Sequence, residues 1–446
     1  MCDSTVLKVK LKRLNNAQSD LLHQLLFWFY GNLQVFSISI GYVGPAYGLN
    51  FLYSTIAGIS GLAFGTIFMA LHAIQGPVTK LSQMVQSRYQ FGIYGNLLPS
   101  LSALVMFSSF ALLNCIFISD GIRKIYHVDG YYTFLFTIAM AAFLAVNGHL
   151  VIIRLFKYLT ILSLPLLCVF TVYIFTHSFG LHSPTRFSFV SFIITFSVAA
   201  SFNITFSPYV SDYTREVSED VGATRLGLTV FFGAFLSAAW LLIIGAWLSH
   251  NGLSKNPIYD IYKLGNSLYN GYGTLLLLIF SISLIGNVSI NIYSGATTLV
   301  SSVSTVCIDN YSLRKRLEVI ALIIISTLVF CVWLLTINIS VIGLVSSLLT
   351  LLIYLLCPWT AINLVDFYLK NGDYSSEDIT SVAIVKVPGS LSFILGLFIG
   401  LLFINASPFF VGPFASNQLL SSLGWLFGLF SSGLFYFILS KKDFLL

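Results

Sequence analysis

Charge is scarce in this 446-residue chain, where Asp, Glu, Lys and Arg together make up 9%. A soluble domain uses roughly 25% charged residues to cover its surface, so a water-facing globule is excluded. Apolar runs that alternate strictly with polar residues are missing, which excludes the strands of about 10 residues that build a membrane barrel. The six cysteines (Cys2, Cys115, Cys168, Cys307, Cys331, Cys357) stand singly with no CxxC pair. That pattern argues against a disulfide framework and against a thiolate metal site. HExxH and GxSxG are absent, and no pair of acids falls at depth, so intramembrane catalysis lacks its nucleophile, ligands and base. No repeated filter loop or ring of charge suggests a channel. The first 20 residues are polar and basic without a cleavage site, so no signal peptide is expected.

What is present is apolar: 57% of residues are hydrophobic and the mean hydropathy is +0.90. In lipid every backbone N–H and C=O must be satisfied within its own segment, and runs of about 20 residues do this as helices. The pattern predicts an all-α integral membrane protein with about twelve spans: 26–48, 52–74, 99–119, 131–150, 154–177, 188–208, 226–248, 272–298, 318–336, 339–362, 389–406 and 422–440. With the N-terminus in the cytoplasm, only Arg123, Lys124, Arg186, Lys255 and Lys263 of the 22 Lys and Arg fall outside. The others, including Lys8, Lys10, Lys12, Arg13, Arg88, Arg154, Arg215 and Lys442, fall inside, as the positive-inside rule requires. The net charge of +6 is therefore read as membrane orientation rather than as nucleic-acid binding. A multi-pass plasma-membrane protein with both termini cytoplasmic is expected, with the lipid bilayer as its one extended partner.

The connections suggest an organisation. Residues 1–25 form a cytoplasmic segment and 26–362 a ten-helix core, divisible into repeats at about 26–177 and 188–362. A cytoplasmic loop at 363–388 leads to a two-helix appendage and short tail at 389–446. Two spans carry helix breakers. The first contains Gly41, Gly44 and Pro45, and the sixth contains Thr205 and Pro208 within "TFSPYVSDYTR". Proline and glycine also kink ordinary membrane helices, but breaks in the first member of each five-helix half are what an inverted-repeat transporter uses to bind cargo at mid-membrane.

None of the sixteen carboxylates falls at the middle of a span; Asp120, Asp212, Asp260 and Asp366 sit at span ends or in loops. A buried ion would need a partner, so the expected cargo is neutral. Depth is instead furnished with amides and aromatics. Phe110 and Asn114 lie four residues apart on one face of span three. Ser283, Asn287, Asn291 and Ser294 form a polar stripe along span eight, and Phe206 precedes the proline of span six. A primary amide offers two donors and an acceptor to the edge of a heterocycle, and an aromatic ring offers a stacking face. Singly, each has a plainer reading as packing or as a helix–helix hydrogen bond. Asp212 and Arg215, with Arg88 of the preceding loop, are candidates for an inner gate.

Three blocks carry a resemblance. "QMVQSRYQFGIYG" (83–95), "FSPYVSDYTR" (206–215) and "GNVSINIYS" (286–294) resemble signatures of the purine–cytosine permease family, the first type of nucleobase–cation symporters. The resemblance implies a LeuT-like fold of two inverted five-helix repeats plus two helices, and secondary active import of a planar base such as cytosine or a purine. Allantoin, hydantoin, uracil or a vitamin-like heterocycle are the alternatives within the fold. It also implies Phe110 and Phe206 as stacking faces, Asn114 as the polar neighbour, and Asn287 and Asn291 as edge readers. Both stacking positions are often tryptophan in relatives. Sodium-coupled relatives carry two hydroxyl side chains at the positions held here by Ile285 and Gly286. Candidate ion ligands are then Ser283 and the backbones of Gly41 and Gly286, with Ser289 a further hydroxyl. This departure favours a proton over sodium as the co-transported cation, with sodium the alternative. No cofactor or bound metal is expected, and a monomer is sufficient.

Overall fold

The computed structural model describes residues 20–441, apart from 148, 178–186, 252–255, 304–310, 337–339, 375–378 and 380. The basic N-terminal residues Lys8, Lys10, Lys12 and Arg13, together with Arg186, Lys255 and Lys442, lie outside the described residues. Among the described residues, eight helices are long and apolar enough to cross a membrane. Four shorter apolar helices, Val35–Ala46, Gly130–Val146, Leu317–Phe330 and Val387–Leu401, fall where the other four spans are expected.

In chain order the first span is built from α1 (20–32), α2 (Val35–Gly41) and α3 (Val43–Ala46). The second is α4 (Phe51–Ala73), followed by three short helices, α5 (Gln75–Thr79), α6 (Gln83–Gln86) and α7 (Arg88–Phe91). Spans three to five are α8 (Leu97–Tyr126), α9 (Gly130–Val146) and α10 (His149–Thr176). The sixth is split into α11 (Phe189–Ile204) and α12 (Ser207–Thr214), and the seventh is α13 (Ala223–His250). An amphipathic helix, α14 (Pro257–Leu268), precedes spans eight to ten: α15 (Tyr272–Val303), α16 (Tyr311–Thr336) and α17 (Val341–Leu369). The last two spans are α18 (Val387–Leu401) and α19 (Gln418–Leu439), joined through a two-stranded hairpin, β1 (Asn405–Ala406) and β2 (Phe410–Val411), with Asn405 opposite Val411.

Helix α4 packs on α11 and α13, and α13 packs on α2. Helix α15 lies against α8 and α14, and α19 packs on α17 and α18. Small residues let these backbones touch, the means by which helices associate in lipid. A Cβ on Gly245 would overlap the Ile38 carbonyl oxygen of α2, and one on Gly65 would overlap the Ala200 carbonyl oxygen of α11.

The break in the first span is not where its glycines and proline suggest. Gly41 ends α2, Gly44 and Pro45 lie within α3, and Tyr42 between them keeps right-handed helical dihedrals (φ −73°, ψ −19°). The helix is interrupted earlier, at Leu33 and Gln34, where Gln34 is fully extended (φ −141°, ψ 159°). The reason is physical. Pro45 sits in the first turn of α3, where a missing N–H costs little. Gly41 and Gly44 serve close approach: a Cβ would strike the Leu242 carbonyl oxygen of α13 at the first and Ser54 of α4 at the second. The freed groups at the true break are met locally. Gln34 Nε2 donates to the Gly31 carbonyl (2.9 Å), Asn32 Nδ2 to the Trp28 carbonyl (3.2 Å), and Ser37 Oγ to the Asn32 carbonyl (2.6 Å).

Candidate functional site

The sixth span tightens at Thr205 and Phe206, where the Phe206 N–H bonds to the Asn203 carbonyl (3.2 Å) before α12 begins with Pro208 in its first turn. The Thr205 hydroxyl donates back to the Phe202 carbonyl (2.7 Å). This turn aims the Phe206 ring into the bundle, where it is 5% exposed. On α8, Phe110 is 3% exposed. The two rings stack, with centroids 5.8 Å apart and planes 27° from parallel. Around them lie Phe36 of α2, with its centroid 5.3 Å from Phe110, and Phe202 of α11, 5.3 Å from Phe206. Trp28 of α1 meets Phe206 edge-on at 6.3 Å. Both broken spans thus deliver aromatic rings to one point.

Span eight supplies the polar wall. Spans three and eight cross in opposite senses, and a Cβ on Gly295 would lie 3.4 Å from the Phe107 Cβ. Four residues back along α15 and three forward along α8 bring Asn291 about level with Phe110, and a further turn brings Asn287 about level with Asn114. The amides form a ladder along the helix. Asn291 Nδ2 donates to the Asn287 carbonyl (2.8 Å), and Asn287 Nδ2 donates to the Ser283 carbonyl (3.1 Å). Because the atom facing a carbonyl must be the donor, the oxygen of each amide points away from its own backbone. The oxygens Asn291 Oδ1, Asn114 Oδ1 and Gln34 Oε1 are buried without a hydrogen-bond partner among the described residues. Gln34 escaped sequence reasoning because Gly41, Gly44 and Pro45 drew attention away from "GNLQ", where a glycine and two amides interrupt an apolar run.

Two of the candidate ion ligands, Gly41 and Gly286, sit in packed contacts. Gly41 lies in the packed α2–α13 contact, away from the break. Gly286 faces the Phe156 ring of α10, with a Cβ there 2.5 Å from Cε1. Its carbonyl already accepts the Ser289 hydroxyl (2.7 Å). Ser283 is buried on the same helix. Phe156 also stacks on Phe27 of α1 (5.9 Å) and meets Tyr30 (5.0 Å), so aromatic carbon fills this side.

Hydrogen bonds tie the first span to its neighbours at both ends of the bundle. At the end bearing Arg88, Arg154 and Arg215, here the basic end, Gln24 of α1 donates to the Tyr213 carbonyl of α12 (2.8 Å) and accepts from Trp28 Nε1 (3.0 Å). At the other end, the Tyr42 hydroxyl donates to Asp260 of α14 (2.7 Å), and Asp260 is 1% exposed. Of the three proposed gate residues, Asp212 and Arg215 stay together at the end of α12, where the guanidinium acts on the carboxylate, and Arg88 reaches across to α15. Asp212 Oδ1 accepts the backbone N–H of Gln83 (2.8 Å), whereas Arg88 reaches the Ser301 carbonyl at the end of α15 (2.6 Å). Arg215 is half-buried at the C-cap of α12. Asp212 is met by Gln83, five residues before Arg88, because α6 and α7 turn the loop between them.

A second polar cluster, missed in the sequence, centres on Asp366 of α17. It is fully buried and accepts from Gln90 Nε2 (2.6 Å), Tyr374 (2.9 Å), Tyr436 of α19 (2.8 Å) and Lys370 Nζ (3.1 Å). Burial, with the Asp366 carboxylate alongside, pushes the Tyr374 phenol above its ordinary range. A span-end acid in sequence is here the common acceptor of four groups.

Residues 16–428 match the family of permeases for cytosine/purines, uracil, thiamine and allantoin. A Bacillus subtilis (strain 168) protein provisionally named purine-cytosine permease YxlA is 27% identical over 93% of this chain and 91% of its own length. The vitamin B6 transporter TPN1 of Saccharomyces cerevisiae is 26% identical over 64% of this chain and 52% of its own. Among solved structures, Mhp1, a nucleobase-cation-symport-1 family transporter in a closed conformation with bromovinylhydantoin bound, aligns with a TM-score of 0.68 at 15% identity. That alignment covers 95% of this chain and 93% of Mhp1. A Na+-coupled sialic acid symporter aligns with a TM-score of 0.59 at 12% identity, over 96% of both chains. The fold is the LeuT-like inverted-repeat architecture, and the chain belongs to the cytosine/purine, uracil, thiamine and allantoin permease family of membrane transporters.

Proposed function

We propose that this protein imports a neutral, planar nucleobase such as cytosine or a purine across the plasma membrane, by alternating access around a site made by Phe110, Phe206, Asn114, Asn287 and Asn291. The observation that carries this reading is the stacked pair Phe110–Phe206 at the break of span six. Two faces of one flat guest would be covered by rings from different helices. The unpaired oxygens of Asn291, Asn114 and Gln34 favour a guest that brings N–H groups, since a buried acceptor left without a donor costs about 1–3 kcal/mol. The basic end is taken as cytoplasmic, with both termini inside, and one chain is sufficient.

For the co-transported cation, the donor set argues against sodium. A hard cation wants several oxygen ligands, but Gly286 carries no side chain and its Cβ direction is filled by Phe156. The neighbouring Ile285 adds only carbon. A proton is the favoured partner.

Uptake of radiolabelled cytosine, adenine, hypoxanthine, uracil and allantoin, in cells lacking their own carriers, tests the proposal. Accumulation of at least one base, abolished by a protonophore and indifferent to replacement of sodium by choline, is expected. No uptake of any of them would contradict the substrate class, and sodium dependence would contradict the coupling.

A further inference from the structure

We propose that the twelfth span sets the position of the inner half of the sixth through a buried relay of side-chain hydrogen bonds, with Asp366 and Tyr436 as positioning residues for transport. The relay starts at the Tyr436 hydroxyl of α19, which donates to Asp366 Oδ1 (2.8 Å). Gln90 Nε2 donates to the other carboxylate oxygen (2.6 Å), and Asn363 Nδ2 to Gln90 Oε1 (3.4 Å). Gln75 Nε2 donates to Asn363 Oδ1 (2.7 Å), and Gln83 Nε2 to Gln75 Oε1 (2.9 Å). The backbone N–H of Gln83 then donates to Asp212 Oδ1 on α12 (2.8 Å). Every side chain from Tyr436 to Gln83 is less than 5% exposed.

The direction of this relay follows from the carboxylate. An ionised acid accepts and never donates. Gln90 must therefore turn its nitrogen to Asp366 and its oxygen to Asn363, which in turn must offer its oxygen to Gln75, and so on to Gln83. A single acceptor thus orients four amides, each of which is otherwise free to flip by 180°. Buried polar networks of this kind act as units because a misoriented member leaves a neighbour unpaired. Lys370 at 3.1 Å compensates the charge, so the anchor stays an acceptor without being an isolated buried ion. The span that joins the relay last, α12, is the half-helix immediately below Phe206. The appendage helix is thereby a working part of the transporter, and this inference does not depend on which substrate is carried.

Hydrogen–deuterium exchange of the full chain in lipid nanodiscs, without substrate, tests it. Tyr436→Phe keeps the ring and removes one link. It is expected to raise amide exchange in 75–91 and 207–214 about threefold, the scale of one net hydrogen bond. Gln75→Met, which cuts the relay in the middle, should loosen 207–214 while leaving the segment around Tyr436 at the native rate. The double variant should be no looser at 207–214 than Gln75→Met alone, because the relay is already cut. Asn363→Leu replaces Tyr436→Phe if that variant does not fold. The proposal is overturned if exchange changes only near the substituted residue, if the effects at 207–214 multiply, or if Phe430→Ala, a 67% exposed position on the same helix, loosens 207–214 equally.

Discussion

The ring centroids of Phe110 and Phe206 stand 5.8 Å apart, whereas two rings with a flat guest between them need about 7 Å, twice the closest favourable carbon separation of about 3.5 Å. The pair is therefore in direct contact, and a base can enter between the rings only when their planes separate by about 3.5 Å, the thickness of one aromatic layer.

Removing one ring should weaken binding without unfolding the bundle. Phe206→Ala is expected to raise the half-saturating concentration for the transported base about tenfold, equivalent to about 1.4 kcal/mol and within the range of an aromatic pair. Concentration-dependent uptake in whole cells reads this directly. An unchanged half-saturation would remove Phe206 from the site.

Asn291→Ala should lower uptake at least about tenfold, because a buried edge contact worth about 1–3 kcal/mol is lost. Asn287→Ala is expected to leave Asn291 oriented, because the Asn291 Nδ2 is held by the backbone carbonyl of residue 287, which the substitution keeps. Transport by Asn291→Ala at native affinity would contradict its role as an edge reader.

Asp212→Ala should reduce the maximal rate with little change in apparent affinity. Its carboxylate holds the Gln83 N–H on the loop and lies below the ring pair rather than beside it. A large loss of affinity with normal membrane expression would place Asp212 in the binding site instead.

Gly286→Ser introduces the hydroxyl that sodium-coupled relatives carry, but its Cβ would sit 2.5 Å from Phe156. Overpacking of this kind costs about 1–3 kcal/mol. The expected outcome is a lower melting temperature in detergent and no gain of sodium-stimulated uptake. Sodium stimulation in the single variant would show that an ion pocket exists beside α15.

The twelve apolar runs were legible in the sequence because lipid permits only helices of a narrow length range. The sixth-span turn was legible too, since Pro208 follows a dense set of hydroxyls. The first-span break was misplaced for an instructive reason. Gly41, Gly44 and Pro45 have the chemistry of breakers, yet what Gly41 meets is decided by Leu242, about 200 positions away, and no local pattern carries that. Asp366 was hidden likewise: it looked like a solvated span end because its partners Gln90 and Tyr436 come from 276 and 70 positions away. The amide stripe on span eight was readable from spacing alone. The Phe156 ring that closes off Gly286 was not, because it depends on how α10 packs against α15.

The most direct test is a structure determined with a saturating concentration of whichever base the uptake panel identifies. Density for the base between Phe110 and Phe206, ring centroids near 7 Å, and its edge within hydrogen-bond distance of Asn291 are expected. A base bound elsewhere, with the two rings still in contact at 5.8 Å, would contradict the account.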